Sequence, residues 1–456
     1  MNNISRRKFI KKTMIIGAAA TAFPTSLFTG GSTSFSAEIA SPVLSYPPYL
    51  GKPTYSTITV NLVAGEKPID CFLEFRRKTE TNDKSWFQTK IFSINADTPA
   101  DILLEPLIPG TIYEYQVHAR LKGAGDFETL TANTFMTQRK DSSPFSFAMI
   151  SDSHIAPNYQ DRLEILSDIS ASILARKPDF MLMLGDNIQT FTSHGGPMTE
   201  ERFGPMLYSL LRQGLGDLPA SAPVFKVIGN WEGENGWHPD RERGWARKAR
   251  MAWIPNPGPD TYPEGGNEHE DYYGFAWGDL LCLVITVTGY TLSDHVYQGA
   301  IGTGDDWSLG KEQRDWLYDQ LSKSNAKWKL LFIHHTVGGN AGGDTDTRYG
   351  RGGGQAAGTG EQKLIHQWMR KFGVKALFYG HDHVFTDIPV DGIHYVCVGS
   401  AGAPWKFPKE NTGYERYWTE SGYTWVDVHK DKLTVSFVKP DALNPEGELL
   451  YNLDIV

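Results

Sequence analysis

The spacing of hydrophobic and polar positions changes along the chain near residue 140. Between residues 44 and 138, short runs such as "YSTITVNLV" and "IDCFLEFRR" alternate between apolar and polar residues and are separated by turn-forming residues. A period of two predicts strands that are buried on one face, and the regular spacing of the runs is typical of a β-sandwich. We therefore predict a small all-β sandwich domain at residues 44–138.

From residue 145 to residue 456, continuous apolar runs alternate with segments of helical spacing. "FSFAMIS", "DFMLMLG" and "KWKLLFIHH" are strand-like, whereas "RLEILSDISASILAR" (162–176) and "KEQRDWLYDQLSKS" (311–324) have the spacing of amphipathic helices. Alternation of strands and helices predicts an α/β domain built of packed layers. The last part of the chain, from Tyr395 to Val456, indicates strands and hairpins.

The first 37 residues differ from the rest in composition. Arg6 and Arg7 lead a basic stretch, and an apolar run follows from Thr13 to Phe28, interrupted by Pro24. The run is shorter than the ~20 residues that a membrane span needs, so we expect no stable transmembrane anchor. Paired arginines before an apolar run resemble a twin-arginine signal peptide, which predicts export to the periplasm or the extracellular space of a bacterium.

Charge and cysteine content narrow the choice of partners and ligands. Without residues 1–37, which hold five basic residues and no acidic ones, the chain carries 39 basic and 53 acidic residues, a net charge of −14. Such a surface repels polyanions, so we expect no nucleic-acid partner. Cys71, Cys282 and Cys397 lie in apolar runs and form no C-x-x-C pair, so we expect buried free thiols and no thiolate metal site.

Polar residues follow nearly every strand-like run of the second domain. Because ligands bind beyond the carboxyl ends of the strands in open α/β sheets, these strand ends are expected to converge. On extended backbone, the spacing of two in Asp152-x-His154 and in the later His-x-His pair would place both side chains on one face. Oxygen and nitrogen ligands without thiolate favour Zn, Mn or Fe, and seven of them suit two metals that share one carboxylate. In chain order, the strand-end residues are Asp152 and His154, Asp186, Asn230, His334 and His335, and His381, Asp382 and His383.

The order of these motifs resembles the calcineurin-like metallophosphoesterase superfamily, whose members include the purple acid phosphatases. The resemblance runs from residue 145 to the C-terminus and implies a layered β-sandwich flanked by helices. "YYGFAWGD" at 272–279 is similar to an aromatic hairpin of that family. The preceding domain resembles fibronectin type III, in which a tyrosine, here Tyr113, hydrogen-bonds to the backbone at a corner. By the family pattern, Asp152, His154 and His383 hold one metal, Asn230, His334 and His381 hold the other, and Asp186 bridges them.

The resemblance also implies an activity. The protein would be an exported enzyme that hydrolyses a small-molecule phosphoester. Its cofactors would be two divalent or trivalent transition-metal ions, Zn, Mn or Fe. Such a pair lowers the pKa of a bound water, and the resulting metal-bound hydroxide would attack phosphorus.

The chain departs from the family pattern near the site. Purple acid phosphatases have glycine at position 154 and a metal-bound tyrosine at position 189, where this chain has His154 and Gln189. His154 would replace the lost tyrosine ligand, which favours the wider superfamily over the purple enzymes themselves. Trp231 stands where the family usually has a histidine thought to protonate the leaving group, and indole has no proton that titrates near neutral pH. The candidates for replacing that donor are His335, His295 and His238.

Two flanking segments are candidates for substrate recognition. Residues 338–360 hold ten glycines in 23 positions and closely follow the fourth motif, so we expect them beside the metals. Arg348 and Arg351 in this segment are candidate ligands for a substrate phosphate or carboxylate, although a flexible surface loop would have the same composition. The stretch between Glu232 and Tyr272 is expected to line the cleft.

Two alternatives to a phosphomonoesterase are open at this point. A phosphodiesterase is favoured by Trp231, since the usual proton donor to the leaving group is missing. A metal-containing envelope protein that has lost catalysis would also combine an intact ligand set with Trp231. Substrate preference separates the first alternative from a monoesterase, and bound metal without turnover identifies the second.

Overall fold

The structure, a computed structural model, describes residues 43–78, 86–190, 202–234, 243–287, 308–335, 361–404, 414 and 416–456. All of them belong to one unit of the chain, Ala40–Val456. The predicted export signal at residues 1–37 lies outside the described residues. Within these ranges, no helix combines the length and the apolar character that a bilayer span requires.

The alternating N-terminal runs form short antiparallel strands. Those within the described residues are β1 (Tyr49–Gly51), β2 (Ile58–Val63), β3 (Ile69–Arg77), β4 (Phe87–Gln88), β5 (Phe92–Ile94), β6 (Pro99–Leu104), β7 (Ile112–Leu121) and β8 (Glu128–Met136). They make two sheets, ordered β1-β2-β6 and β4-β3-β7-β8, with β5 paired to β3. Every second side chain of β3 is buried, from Ile69 to Phe75. Leu62, Leu73 and Tyr115 belong to one apolar core. The region is thus β-rich with two packed sheets.

The hydrogen bond predicted at Tyr113 is present. Its hydroxyl accepts a hydrogen bond from the backbone N–H of Ile108 at 3.0 Å. Its ring stacks on Phe135 with 5.8 Å between centroids. The bond fixes the turn that leads from β6 into β7. The assignment of residues 44–138 as a fibronectin type III-like domain stays a prediction.

The apolar runs of the second part form two larger sheets with an aromatic core between them. Their strands are β9 (Phe145–Ile150), β10 (Phe180–Met183), β11 (Val224–Lys226), β12 (Tyr273–Trp277), β13 (Leu280–Val284), β14 (Trp328–Phe332), β15 (Ala376–Tyr379), β16 (Phe385–Val390), β17 (Ile393–Val398), β18 (Tyr423–Val428), β19 (Leu433–Asp441) and β20 (Asn444–Ile455). The sheet orders are β11-β10-β9-β18-β19-β20 and β12-β13-β14-β15-β17-β16. Phe147 lies between the sheets, stacked on Phe180 at 4.9 Å and edge-on to Phe332 at 6.3 Å.

Helices cover the outer faces of both sheets. Those within the described residues are α1 (Gln160–Arg176), α2 (Phe203–Leu215), α3 (Leu218–Ser221), α4 (Arg243–Trp253), α5 (Gly310–Lys323) and α6 (Glu361–Phe372). Leu166 of α1 and Leu211 of α2 join the core on the outer face of the first sheet. Leu317 of α5 and Met369 of α6 do so on the second. The layers therefore confirm the predicted α/β fold, a β-sandwich flanked by helices.

The two predicted helices and the predicted hairpin are confirmed, and three longer helices were missed. α1 and α5 agree with the predicted ranges to within two residues, and β12 pairs antiparallel with β13. α2 was missed because Gly204 and Pro205 interrupt its pattern, although proline is tolerated in a first helical turn. α4 and α6 were not predicted either. The three cysteines are buried and free, as predicted.

Strand direction brings the functional motifs to one edge. β9, β10 and β11 run parallel to one another. β13, β14 and β15 do the same in the second sheet. The carboxyl ends of five of these strands, namely β9, β10, β11, β14 and β15, lead into the predicted metal-binding residues.

Buried polar contacts join the N-terminal β-rich region to the helices of the second part. Arg212 of α2 is buried and donates to the side-chain oxygen of Asn61 at 2.8 Å and to its carbonyl at 3.0 Å. The Tyr115 hydroxyl donates to the carbonyl of Ala220 at 2.8 Å. These bonds satisfy polar groups that would otherwise be buried without partners.

Arg212→Met is expected to destabilise the protein. It leaves the two Asn61 oxygens without their charged donor, so we expect the free energy of unfolding to fall by about 2–3 kcal/mol. The matched control is Arg370→Met on the surface of α6, whose exposed pair with Asp391 should contribute less than about 1 kcal/mol. Denaturant titration measures both variants, and equal losses would contradict a special role for Arg212.

Candidate metal centre

Five strand ends converge on a buried group of acidic and imidazole side chains. Among the described residues, two clusters have ligand atoms close enough to hold a metal, and all of their members are buried. The first contains Asp152, His154 and His383, and the second contains Asp186, His334 and His381. The convergence predicted from the strand ends is therefore present.

In the first cluster, three side chains from two loops face one another. His383 Nε2 lies 3.1 Å from His154 Nε2 and 3.3 Å from Asp152 Oδ1. His154 Nε2 lies 3.6 Å from the same carboxylate oxygen. Two imidazole nitrogens and a carboxylate oxygen are a donor set that suits Zn, Mn or Fe.

The second cluster is assembled from three strand ends, and Asn230 adds a fourth. His334 Nε2 lies 3.0 Å from Asp186 Oδ2, 3.2 Å from His381 Nδ1 and 3.2 Å from Asn230 Oδ1. His381 Nδ1 lies 4.0 Å from Asp186 Oδ2. Each contact joins residues that are far apart in the sequence.

Asp186 of the second cluster also borders the first. Its Oδ2 is 3.0 Å from His334 Nε2 of the second cluster and 3.5 Å from His154 Nε2 of the first. A single carboxylate oxygen therefore lies within reach of ligand atoms on both sides.

A left-handed backbone conformation, and not an extended one, directs the side chains of the candidate ligands toward the clusters. Five candidate ligands have positive φ angles of 47° to 75°. The premise that a spacing of two on extended backbone directs both side chains to one face was therefore wrong. The His-x-His pair is also divided between the clusters. Non-glycine residues rarely adopt this conformation, and Asp, Asn and His adopt it most readily. The five are Asp152, His154, Asp186, His381 and His383.

Hydrogen bonds between neighbouring loops hold this strained backbone. The N–H of Asp152 donates to the carbonyl of Gly185 at 3.1 Å, and the N–H of His154 donates to the carbonyl of Asp186 at 2.9 Å. One residue further, Ile155 donates to the Asn187 carbonyl at 3.0 Å. The ladder between β9 and β10 thus continues into the loops that carry the ligands.

The carboxylates of Asp152 and Asp186 each accept a hydrogen bond from a backbone amide, through the oxygen that points away from the clusters. Asp152 Oδ2 accepts from the N–H of His381 at 2.8 Å, and Asp186 Oδ1 accepts from the N–H of Trp231 at 2.8 Å. The other oxygen of each group faces the clusters. Asp152 Oδ1 is buried without a hydrogen-bond partner among the described residues. A buried, unsatisfied carboxylate oxygen beside two imidazoles fits a cation-binding position.

Two histidines are oriented in the same manner. His334 Nδ1 lies 2.7 Å from the carbonyl of Leu184, and His383 Nδ1 lies 2.7 Å from the carbonyl of Pro404. The backbone carbonyl accepts a hydrogen bond from Nδ1–H, which leaves the lone pair on Nε2 directed at the cluster. This arrangement is characteristic of metal-binding histidines.

Electrostatics keeps the carboxylates ionised. Burial pushes the pKa of Asp152 upward, but His383 and His154 outweigh it and hold that pKa well below its usual range. The pKa of Asp186 is also lowered, because His334 outweighs the effect of burial. Burial opposes charge on His334, yet Asp186 raises its pKa to about 9. A cation that binds here would displace that proton.

The carboxamide of Asn230 fits the same interpretation. Its Oδ1 lies 3.2 Å from Asp186 Oδ2 and 2.9 Å from His381 Nδ1, so acceptors face one another. Rotating the amide would let its nitrogen donate to them and its oxygen accept from the indole N–H of Trp231 at 3.3 Å. A bound cation favours the first orientation, since an amide ligates metals through its oxygen.

Several other predicted residues lie beside the clusters or outside the described residues. The ring of His335 is buried against that of His381, with 4.2 Å between centroids. The half-buried ring of Trp231 lies edge-on to His154 at 5.5 Å. Gln189 accepts from Arg162 at 3.0 Å. Outside the described residues lie Arg348 and Arg351, with the glycine-rich segment 338–360 around them, and His238 and His295.

Sequence reasoning missed Glu232. It is fully buried, and its carboxylate accepts hydrogen bonds from the loops that follow β10 and β11. The signal that would have found it is Lys226 in the apolar run "VFKVIG", because a lysine buried in a strand requires an acidic partner. That partner is Glu232, at 2.7 Å.

Comparison with known proteins agrees with this geometry. The family model of the calcineurin-like phosphoesterases matches residues 145–385, more than half of the chain. The purple acid phosphatase PPD1 from yellow lupin (Lupinus luteus) seeds is similar in structure, with a TM-score of 0.66 and 16% sequence identity over 89% of this chain and 73% of that one. PhoD has a TM-score of 0.66 and 13% identity over 91% of this chain and 90% of that one. No curated protein matches the sequence significantly.

The fold, the two buried clusters and the family match define a metal-dependent phosphoesterase. The chain belongs to the calcineurin-like phosphoesterase family. Its enzymes hydrolyse phosphoesters, and the two Asp/His clusters fit the metals that this chemistry requires.

Gly229→Ala is expected to disrupt the second cluster. An added Cβ would lie 2.3 Å from Asp186 Oδ1 and 2.4 Å from the Asp186 nitrogen, so the ends of β10 and β11 must separate. We expect a lower metal content after gel filtration, measured by elemental analysis. Gly244→Ala in α4 is the control, because its Cβ would meet nothing within 4 Å. Full metal content in Gly229→Ala would contradict the close approach.

Proposed function

We propose that this protein is an exported phosphoesterase with a dinuclear metal centre. The observation that supports it most directly is the position of Asp186 Oδ2, 3.0 Å from His334 Nε2 and 3.5 Å from His154 Nε2. Two metals that share one carboxylate need an oxygen within reach of both ligand groups. Asp186 meets that requirement.

The proposed ligands follow the two clusters. When bound, the metal pair would activate a water molecule as the nucleophile and neutralise charge on the phosphoryl group. The proposal assigns Asp152, His154 and His383 to one metal, Asn230, His334 and His381 to the other, and Asp186 to both.

The chain itself orients the proposed metal ligands and excludes water from around them. Carbonyls of Leu184 and Pro404 fix the Nε2 lone pairs of His334 and His383 toward the centre. All the proposed ligands are at most 5% exposed, so their charges act in a medium of low dielectric constant. Preorganised ligands of this kind need little rearrangement during the reaction.

His335 is the proposed proton donor to the leaving group. Its buried ring lies 4.2 Å from that of His381, which places an imidazole next to the second cluster. Trp231 cannot fill this role, because its indole N–H does not titrate near neutral pH. Arg348 and Arg351 are proposed to bind the substrate phosphate.

A phosphodiesterase is the second candidate function. The observation that favours it is Trp231, whose ring lies beside His154 where the resemblance places a histidine. A substrate with a weakly basic leaving group needs less protonation, so such an enzyme tolerates the loss of that acid.

The organisation of the full chain is also part of the proposal. Residues 1–37 would act as a twin-arginine export signal, residues 44–138 as a fibronectin type III-like domain and residues 145–456 as the metallophosphoesterase domain. If Arg6→Lys with Arg7→Lys left export unchanged in a bacterial host, the twin-arginine assignment would be wrong.

Asp186→Ala tests the dinuclear centre. The shared ligand is lost, so we expect fewer than two metals per chain and a fall in kcat of about 10³-fold, which corresponds to about 4 kcal/mol of transition-state stabilisation. The assays are elemental analysis and hydrolysis of p-nitrophenyl and bis-p-nitrophenyl phosphate. Asp391→Ala, which removes a half-exposed carboxylate bonded to His366, is the control.

Retention of both metals and full activity in Asp186→Ala would refute a dinuclear centre. Wild-type protein that prefers the diester supports the phosphodiesterase. Bound metal without turnover of either ester would identify the envelope binding protein.

Trp231→His tests the missing general acid. Under the second candidate function, in which no residue protonates the leaving group, we expect a histidine at this position to supply a titratable donor beside His154 and to speed the reaction with an alkyl phosphate by about 10²-fold. Donation by His335 predicts no such gain. Hydrolysis of a p-nitrophenyl ester, whose leaving group is a weak base, should change little. Trp231→Phe is the matched control, because it also alters the ring but adds no proton donor. An equal gain in both variants would attribute the effect to space and not to protonation.

A further inference from the structure

A buried ion pair lies directly behind the second cluster. Lys226 Nζ lies 2.7 Å from Glu232 Oε1, and both side chains are fully buried. Removing two charges from water costs several kcal/mol per ion, so such a pair is retained only where additional hydrogen bonds surround it. The additional bonds show what the pair does.

Glu232 accepts four hydrogen bonds, two on each oxygen. Its Oε1 accepts from Lys226 Nζ at 2.7 Å and from the N–H of Asn187 at 2.9 Å. Its Oε2 accepts from the N–H of Gly229 at 2.7 Å and from the N–H of Asp186 at 2.9 Å. Both oxygens are therefore fully engaged, and neither is available as a metal ligand.

The donors belong to two loops that carry ligands. Asp186 and Asn187 follow β10, whereas Gly229 directly precedes Asn230 after β11. One carboxylate thus holds together the backbone of two loops whose side chains belong to the second cluster. The Trp231 N–H bond to Asp186 Oδ1 at 2.8 Å closes the same connection from the other side.

The lysine is itself fixed in place. The side chain of Asn256 pairs with the backbone of Lys226, accepting from its N–H at 2.9 Å and donating to its carbonyl at 2.7 Å. β11 is the edge strand of its sheet, so this amide takes the place of a neighbouring strand. Lys226 Nζ also donates to Asn187 Oδ1 at 3.0 Å.

We propose that Glu232 is a positioning residue that sets the separation of Asp186 from Asn230, and with it the affinity of the second metal site. Lys226 balances its charge. The inference rests on the proposed function, since it assumes that the second cluster holds a metal.

Glu232→Gln is the substitution that tests this positioning role most directly. The amide keeps the shape of the side chain, but it has one acceptor oxygen where the site demands two. In either orientation, its NH₂ group faces two donors, which are Gly229 and Asp186 on one side or Asn187 and Lys226 on the other. The two loops must then move apart.

Glu234→Gln is the matched control. Glu234 lies two residues further along, is also buried, and is bonded to Arg250 of α4 at 2.8 Å. Like Glu232, it is buried and has a cationic partner of its own. Its hydrogen bonds to Arg250 do not involve the ligand loops. Any general effect of neutralising a buried carboxylate should appear in both variants.

The experiment is a competition titration of Mn²⁺ against a chromophoric chelator in full-length wild type and both variants. We expect the second-site affinity of Glu232→Gln to fall about 10–100-fold, as is usual when a residue that orients metal ligands is changed. The first-site affinity should fall less, because Asp152, His154 and His383 accept no support from Glu232 and only the shared Asp186 moves, and Glu234→Gln should retain both affinities. Electron paramagnetic resonance of the Mn²⁺-loaded proteins should show spin coupling in wild type and Glu234→Gln, and its loss in Glu232→Gln.

The outcomes separate this inference from the proposed function. If wild type binds fewer than two Mn²⁺ ions, the dinuclear centre itself is wrong. If wild type binds two and Glu232→Gln keeps both affinities, or if Glu234→Gln loses as much, the positioning role is refuted while the dinuclear centre stands. Should Glu232→Gln fail to fold, as judged by circular dichroism, Glu232→Asp gives the same readout, because it keeps the charge but shortens the reach by one methylene.

Discussion

Two ionised carboxylates lie buried beside each other, and most features of the site follow from the need to keep them there. A buried carboxylate loses several kcal/mol of solvation unless nearby groups replace the water. Here the backbone N–H of His381 holds Asp152 and that of Trp231 holds Asp186, each through one oxygen. The opposite oxygens face imidazole nitrogens. Neutral backbone N–H groups thus bind one oxygen of each carboxylate, and the other oxygen is left to bind a cation.

The layered architecture makes this arrangement possible. Parallel strands of two different sheets end at the same edge, so loops that are distant in sequence meet there. The aromatic core around Phe147 and Phe332 keeps the sheets packed face to face. Contacts between loops then set the details: Gly229 permits the approach of the ends of β10 and β11, and Glu232 holds them together.

The candidate metal ligands were predictable because each follows an apolar strand with its own short motif. Their division into two clusters was predicted only by the family resemblance, since the spacing of His381 and His383 says nothing about which cluster each one joins. The local pattern also failed to predict α2, because Gly204 and Pro205 weaken its helical signal. Tertiary packing stabilises the helix despite these two residues. Glu232 was missed for a similar reason. Its backbone donors at Asp186 and Asn187 reach it only after β10 and β11 pair, and a contact across more than 40 residues has no local period. Lys226, six residues away, is the local sign of a buried acidic partner.

Left-handed backbone at five of the candidate ligands limits how this site can change its metal preference. Apart from glycine, only Asp, Asn and His enter that region of conformational space with ease, and they are also oxygen and nitrogen donors. Replacing one of them by cysteine or glutamate would alter ligand chemistry and backbone energy together. Evolution or design toward a softer metal therefore meets a conformational barrier at these positions. His334, which is absent from the positive-φ positions, is the more permissive place for such an exchange.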